Sequence, residues 1–491
     1  MSIVVGFDTV RVGELASRLA TAGQQASGVR ESIARIVANA EDAAAAGDYD
    51  ASPSQSEADG GALLTIARGA PPMSSDVKTR LEHLLACQAS SLPIDTDLFF
   101  NDENPPDPAK VKAAIAFFNQ HIDDSGGFLW SDAQQGLQEV LSDWEKLTPT
   151  ELDAVINSLT PAQFKELNSQ LGEGGSWWGA GNSNTNLRIA FANMIYSEVG
   201  TDALSRADAY APALQPESST QYLSGLQYML VNGTLYPPGG ANVEKDLSQG
   251  DDGDCWFLSA LGTIVMHDPD FLSQHIHENA NGTYTVTFYS NGSPVNVTVD
   301  GTLPLTSNNG YAYAHSNSND GSLWVAIYEK AYAQYRGGYE AINATRSNSR
   351  TGAGSYALQD LTGNQTSGGT ADEYTLSEVA GMMKTGAVFT TGTKDDTSLW
   401  DRLFGGGPDT EDNSQLVTSH EYMIKSVNLN ADPPTITVVN PWGSGGVEDN
   451  HVMPQEVTLT QQQWQEYFDE VAAVWPKAND SFLSHDALGS Q

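Results

Sequence analysis

Between residues 8 and 40 the apolar side chains Val10, Val12, Leu15, Leu19, Ala22, Val29, Ile33 and Ile36 recur every three or four positions, which predicts a helix. Residues 41–60 are rich in Ala, Asp, Ser and Gly and read as a loop; a second helix is expected near 75–88. Helical periodicity continues through most of 95–210. There, LTPTELDAVINSL and LTPAQFKELNSQL form a short internal repeat, each opening with Thr as N-cap and Pro at the first helical position. Pro106, Pro108 and the Gly-rich run at 173–181 mark breaks. From about residue 215 the period changes. YTVTFYS (284–290) and PVNVTVD (294–300) alternate as strands do and are separated by Asn-Gly, a hairpin signal; ITVVN (436–440) is another strand. Helices are expected between them at 255–266 and 322–336, so the fold class is α+β behind a mostly helical N-terminal region.

Composition narrows the class. The chain of 491 residues is long enough for two to four domains. It carries 62 acidic against 23 basic residues, a net charge of -39, which argues for solubility and against nucleic acid or an anionic membrane as partner. No run of about 18 apolar residues is present, so no membrane span is expected. The start MSIVVGFDTVRVGEL lacks the basic and long apolar regions of a signal peptide; export without a cleaved leader is favoured over a cytoplasmic location. Two cysteines, Cys87 and Cys255, are too few for a disulfide scaffold. Cys87 lies in the apolar run LEHLLACQ and reads as a buried small hydrophobe.

Cys255 has a different setting. In QGDDGDCWFLSAL (249–261) glycines and aspartates make a tight loop and an apolar helix follows, placing Cys255 at a helix N-terminus where the dipole is expected to lower the thiol pKa. Gln249, six positions earlier, can donate its amide to an oxyanion alongside the Cys255 backbone N–H. Of nine histidines, His420 lies in the strand-like LVTSHEYMIKSVNL. Asn440 ends the next strand, in VVNPWGSGG, where its amide can orient the imidazole and Trp442 can shield that bond from water. Elsewhere, HIDDSGGFLWSD (121–132) has the outline of an EF-hand loop through Asp123, Ser125, Gly126, Phe128 and Asp132, though it begins with His121 and ends with Asp.

Gln-Gly-x-x-Gly-Asp-Cys-Trp-Phe-Leu, then His-x-Tyr, then Asn-Pro-Trp-Gly resembles the pattern of the calpain family of papain-like cysteine proteases. The stretch 299–342 with Leu-Pro, Trp and Glu-Lys-Ala-Tyr-Ala, the segment LQDLTG (358–363) and TLTQQQWQEYFDEV (458–471), similar to the closing helix, extend the resemblance over roughly 230–475. It implies a two-subdomain papain-like core acting on peptide substrates. Cys255 would be nucleophile, His420 general base and acid, Asn440 orienter, Gln249 oxyanion donor and Trp442 shield. It also implies calcium, with Asp246 and Glu340 at the acidic positions of one site; the second site's loop is shortened to SGGVEDN (444–450) and its ligands have no clear match. The β-sandwich and EF-hand modules of animal calpains are not expected, since about a dozen residues follow the core.

The expected organisation is a helical region over 1–94, a helical domain over 95–210, protease subdomains over 211–360 and 361–478, and a tail over 479–491. The first two helices, joined by a polar turn, loosely resemble the hairpins of type VII secretion substrates of Gram-positive bacteria without that family's Trp-x-Gly turn. Residues 1–210 are expected to serve export, autoinhibition or a zymogen that processes itself. Two alternatives are a transglutaminase-like acyl transferase, against which Asn440 and Gln249 argue, and a non-catalytic secretion or binding scaffold.

Overall fold

A computed structural model describes residues 106–122, 130–172, 181–218, 225–237, 240–316, 321–343, 352–394, 416–448 and 451–476. The helices expected at 8–40 and 75–88, Cys87, and the centre of the EF-hand-like loop at 123–129 lie outside them. Contacts divide the chain into two units: Met1–Glu173 with Met194–Leu214, and Gly174–Asn193 with Gln215–Gln491.

The described part of the first unit is helical: Pro108–His121, Trp130–Trp144, Pro149–Ser158, Pro161–Gly172 and Thr201–Tyr210. Both Thr-Pro starts form as expected. Thr148 and Glu151 make a reciprocal capping box, and Thr160 and Gln163 repeat it with bonds of 3.3 and 2.7 Å. Phe118 and Trp144 stack in the core with ring centroids 5.5 Å apart. The buried carboxyl of Asp153 accepts at 3.1 Å from the N–H of Gly200, the N-cap of the helix Thr201–Tyr210.

The second unit combines strands with buried helices. Its main sheet runs, edge to edge, Glu456–Thr460, Thr435–Val439, Glu421–Asn428, Val388–Thr393, Phe468–Val474 and Ser367–Gly369, all neighbours antiparallel. A second sheet holds Ile276–Glu278, Tyr284–Ser290 and Ser293–Val299. Its expected hairpin turns at Asn291 and Gly292, both at positive φ (50° and 78°), the combination a two-residue type I′ turn requires.

The helix Cys255–His267 is buried along Trp256–Val265 and packs on the strands Glu421–Asn428 and Val388–Thr393 and on the helix Gly352–Thr362. Phe257 stacks on Tyr332 at 3.9 Å, joining it to the helix Trp324–Arg336. The Lys of the Glu-Lys-Ala-Tyr run, Lys330, is fully buried and paired with Asp300, with the Thr302 carbonyl at 2.7 Å. One expectation changes: 458–471 is not a single helix. Only Gln461–Tyr467 is helical, capped by Thr460, and the chain re-enters the sheet at Phe468–Val474. Four consecutive buried residues, Val471–Val474, fit the centre of a sheet better than a one-sided helix.

Candidate active site

Cys255 is the first residue of its helix, with Asp254 as N-cap. The residue keeps partial solvent access, yet protein crowds its sulfur. Burial pushes the thiol up to about 12, against the backbone N–H groups of Glu421 and Trp256, which face the sulfur and favour its anion. This corrects the expectation of a lowered thiol pKa: desolvation outweighs the helix terminus.

His420 precedes the strand Glu421–Asn428, after Ser419 at φ 55°. A non-glycine residue in the left-handed region is uncommon, and here it sets the entry of the imidazole. Nε2–H of His420 donates to Asn440 Oδ1 at 2.9 Å. The same oxygen accepts the backbone N–H of Trp442 at 3.0 Å. That second donor fixes the amide: turned over, its NH2 would face the Trp442 N–H. Oδ1 therefore faces the ring, Nε2 carries the proton, and Nδ1 is left as the basic nitrogen. Tyr422 and Trp442 meet the imidazole edge-on, each at 5.1 Å. Burial pulls the His420 pKa down to about 4, the Asn440 bond opposing it only in part. The resting pair is thus a neutral thiol and a neutral imidazole.

The cysteine loop is tied to the Asn-Pro-Trp segment. Gln249 N–H donates to the Pro441 carbonyl at 2.9 Å, and Ser248 Oγ to the Trp442 carbonyl at 3.0 Å. The Gln249 amide does not stand free: Nε2 donates to the Asp252 carbonyl at 2.6 Å, while Oε1 is buried without a hydrogen bond. On the flank, Lys425 bridges Glu244 and Glu456 at 2.5 and 2.6 Å.

Behind the loop lies an acidic group that sequence reading does not single out. Asp252, Asp254 and Glu329 are all buried. Asp254 and Glu329 lie close enough to couple, the Asp254 charge helping to raise Glu329, while neither Asp254 oxygen has a hydrogen-bond partner. Glu329 also accepts the Ala314 N–H with both oxygens, at 3.1 and 3.0 Å. Burial raises all three above the usual carboxyl range. Asp254 is visible next to Cys255 in the sequence, but its closeness to Glu329, 75 positions on, is not.

Of the two expected calcium ligands, Asp246 is buried at the end of the helix Val243–Asp246. Its Oδ2 accepts from the Asn242 N–H at 2.7 Å and Trp324 Nε1 at 3.1 Å. Glu340 is exposed in Tyr339–Ile342, and its charge reaches Asp252. Among the described residues no group of three or more His, Cys, Asp or Glu side chains is placed to hold a metal. Two carboxylates, one already holding two N–H groups, do not by themselves make a calcium centre.

Residues 229–482 match the family model described as calpain family cysteine protease. Calpain clp-4 of Caenorhabditis elegans is 31% identical over 218 residues, covering 40% of this chain and 27% of the relative. Calpain clp-1 of the same organism is 31% identical over 211 residues, 40% of this chain and 25% of the relative. Calpain-type cysteine protease DEK1 of Zea mays is 31% identical over 222 residues, 42% of this chain and 9% of the relative. The matched region thus spans about a quarter or less of each relative's length. The family model covers just over half of the 491 residues, in the same segment that carries Cys255, His420 and Asn440, and the chain belongs to the calpain family of cysteine proteases.

Proposed function

We propose that the chain is a cysteine endopeptidase acting through Cys255, His420 and Asn440. The observation that carries this reading is the His420–Asn440 bond, which leaves Nδ1 unprotonated while the N–H of the next residue, Glu421, faces the Cys255 sulfur. Cys255 Sγ attacks the peptide carbonyl carbon as its proton passes to His420 Nδ1. Because both groups rest neutral, proton transfer accompanies attack. The tetrahedral oxyanion takes the Cys255 backbone N–H and the Gln249 amide, once Nε2 has turned from the Asp252 carbonyl. His420 then returns the proton to the leaving nitrogen, the C–N bond breaks, and water hydrolyses the thioester by the same route. Trp442 keeps water from the His420–Asn440 bond.

The test compares wild type with Cys255→Ala, with calcium and with chelator, mapping new termini by mass spectrometry. Peptide cleavage or self-cleavage that survives Cys255→Ala defeats the reading. Calcium at Asp246 and Glu340 is a separate proposal, resting on the family resemblance. Calorimetric titration with calcium of wild type and Asp246→Asn addresses it, and no step above depends on it. Restraint of the protease by residues 1–210 is likewise proposed; equal activity with and without them would end it.

A further inference from the structure

Glu421, between His420 and Tyr422, has no part in the chemistry above. Its backbone is fastened to the nucleophile's helix twice. Its N–H faces the Cys255 sulfur, and its carbonyl accepts from Ser259 Oγ at 2.9 Å, one turn further along. Its side chain fills a recess that exists because two residues are glycines. A Cβ on Gly354, in the helix Gly352–Thr362, would lie 2.5 Å from Glu421 Oε1. A Cβ on Gly392, in the paired strand, would lie 2.9 Å from Oε2. The residue is 5% exposed, and Oε1 accepts no hydrogen bond.

The groups facing this carboxyl come from four elements. The strand Phe468–Val474 brings Glu470 and Asp469, whose charges reach it; Val388–Thr393 brings the Thr390 hydroxyl, which makes no hydrogen bond there. Gly352–Thr362 brings Gly354 against it, and the nucleophile's helix brings Cys255, on which the Glu421 charge acts. Among the described residues the charges that act on it are thus acidic. Burial and those neighbours hold the carboxyl protonated at neutral pH, raising its pKa to about 8.

Resting on the reading of Cys255 as nucleophile, we propose that Glu421 is a positioning residue whose charge state governs the thiolate. Protonated, it fills the recess as a neutral side chain and leaves the sulfur free to ionise toward His420. When it loses its proton to solvent, the carboxylate opposes the negative charge on sulfur. An apolar side chain could fill the same recess but would not respond to pH.

The experiment uses the full chain with Cys87→Ser, so that Cys255 is the remaining thiol. The rate of Cys255 alkylation by iodoacetamide and kcat/KM on a peptide are followed from pH 6 to 9.5, with and without Glu421→Gln. The expected result is a pH 9 to pH 6.5 alkylation ratio about tenfold larger in Glu421→Gln, the change that one unit in thiol pKa produces. Equal ratios overturn the proposal. If Glu421→Gln does not fold, Glu421→Met, also uncharged, takes its place under the same criterion. Normal alkylation without peptide cleavage in every form would defeat the proposed function, while the ratio would still decide the role of Glu421.

Discussion

Asn440 Oδ1 accepts from His420 Nε2 and from the Trp442 backbone N–H at once. The asparagine is thus oriented by the chain that follows it, and it passes that orientation to the imidazole. Asn440→Ala should cut kcat/KM by about 10²-fold, the lower range for loss of ordered acid–base catalysis. Asn440→Asp should rescue part of it, since a carboxylate still accepts both N–H groups. Steady-state kinetics on one peptide checks both; an undiminished Asn440→Ala removes the orienting role.

Gln249 rests with Nε2 on the Asp252 carbonyl, so its oxyanion contact is made only after rotation. Gln249→Ala should therefore lower kcat by about 10²–10³ and leave KM nearly unchanged, as for loss of an oxyanion donor. A change confined to KM would show that the amide binds substrate instead.

Two lysines of one unit should differ sharply. Lys330 is buried against Asp300, and Lys330→Met strands a buried carboxylate, costing about 3–5 kcal/mol. Lys425 is partly exposed between Glu244 and Glu456, so solvent screening holds Lys425→Met below about 1 kcal/mol per ion pair. Denaturant melts of the two variants should separate them clearly. Equal losses would contradict the difference in burial between the two sites.

The buried acids fix the sign of the pH response. Glu421, Asp252 and Asp254 have raised pKa values in the folded chain. Their contribution is fully present below the ordinary carboxyl range and is lost as pH rises toward about 8. His420, lowered to about 4, contributes stability above its ordinary value and loses it as pH falls through about 4. Thermal stability should therefore peak on the acid side of neutrality and fall between pH 6 and 8. Calorimetry in matched buffers measures this, and Glu421→Gln should flatten the alkaline side. A melting point that climbs steadily to pH 8 would contradict it.

The candidate site can be read from the sequence because its members sit in short, punctuated motifs. Gln249, Cys255, His420, Asn440 and Trp442 each carry a local signature, and the Asn-Gly hairpin and Thr-Pro caps announce their own geometry. Burial was not legible, and burial reverses the expected direction for the Cys255 thiol. Nor was the Glu421 recess, which needs Gly354, Gly392 and Glu421 from three separate elements. The closing helix is shorter than expected because TLTQQQWQEYFDEV keeps helical spacing up to Tyr467, while Phe468–Val474 pairs with two strands, about 80 and about 100 positions earlier. Residues 8–40 carry helical periodicity but no chemical signature, so the sequence there speaks to structure and not to chemistry.

The strand order carries a consequence for synthesis. Phe468–Val474 lies between Val388–Thr393 and Ser367–Gly369, with the Glu421 strand on the other side of Val388–Thr393. A chain emerging from the ribosome can form the Cys255 helix and expose the His420 segment early. It cannot close the sheet, or bring Asp469 and Glu470 against Glu421, until residue 474 has been made. The six-stranded sheet that carries the reactive centre is thus complete only when nearly all of the matched region has left the ribosome.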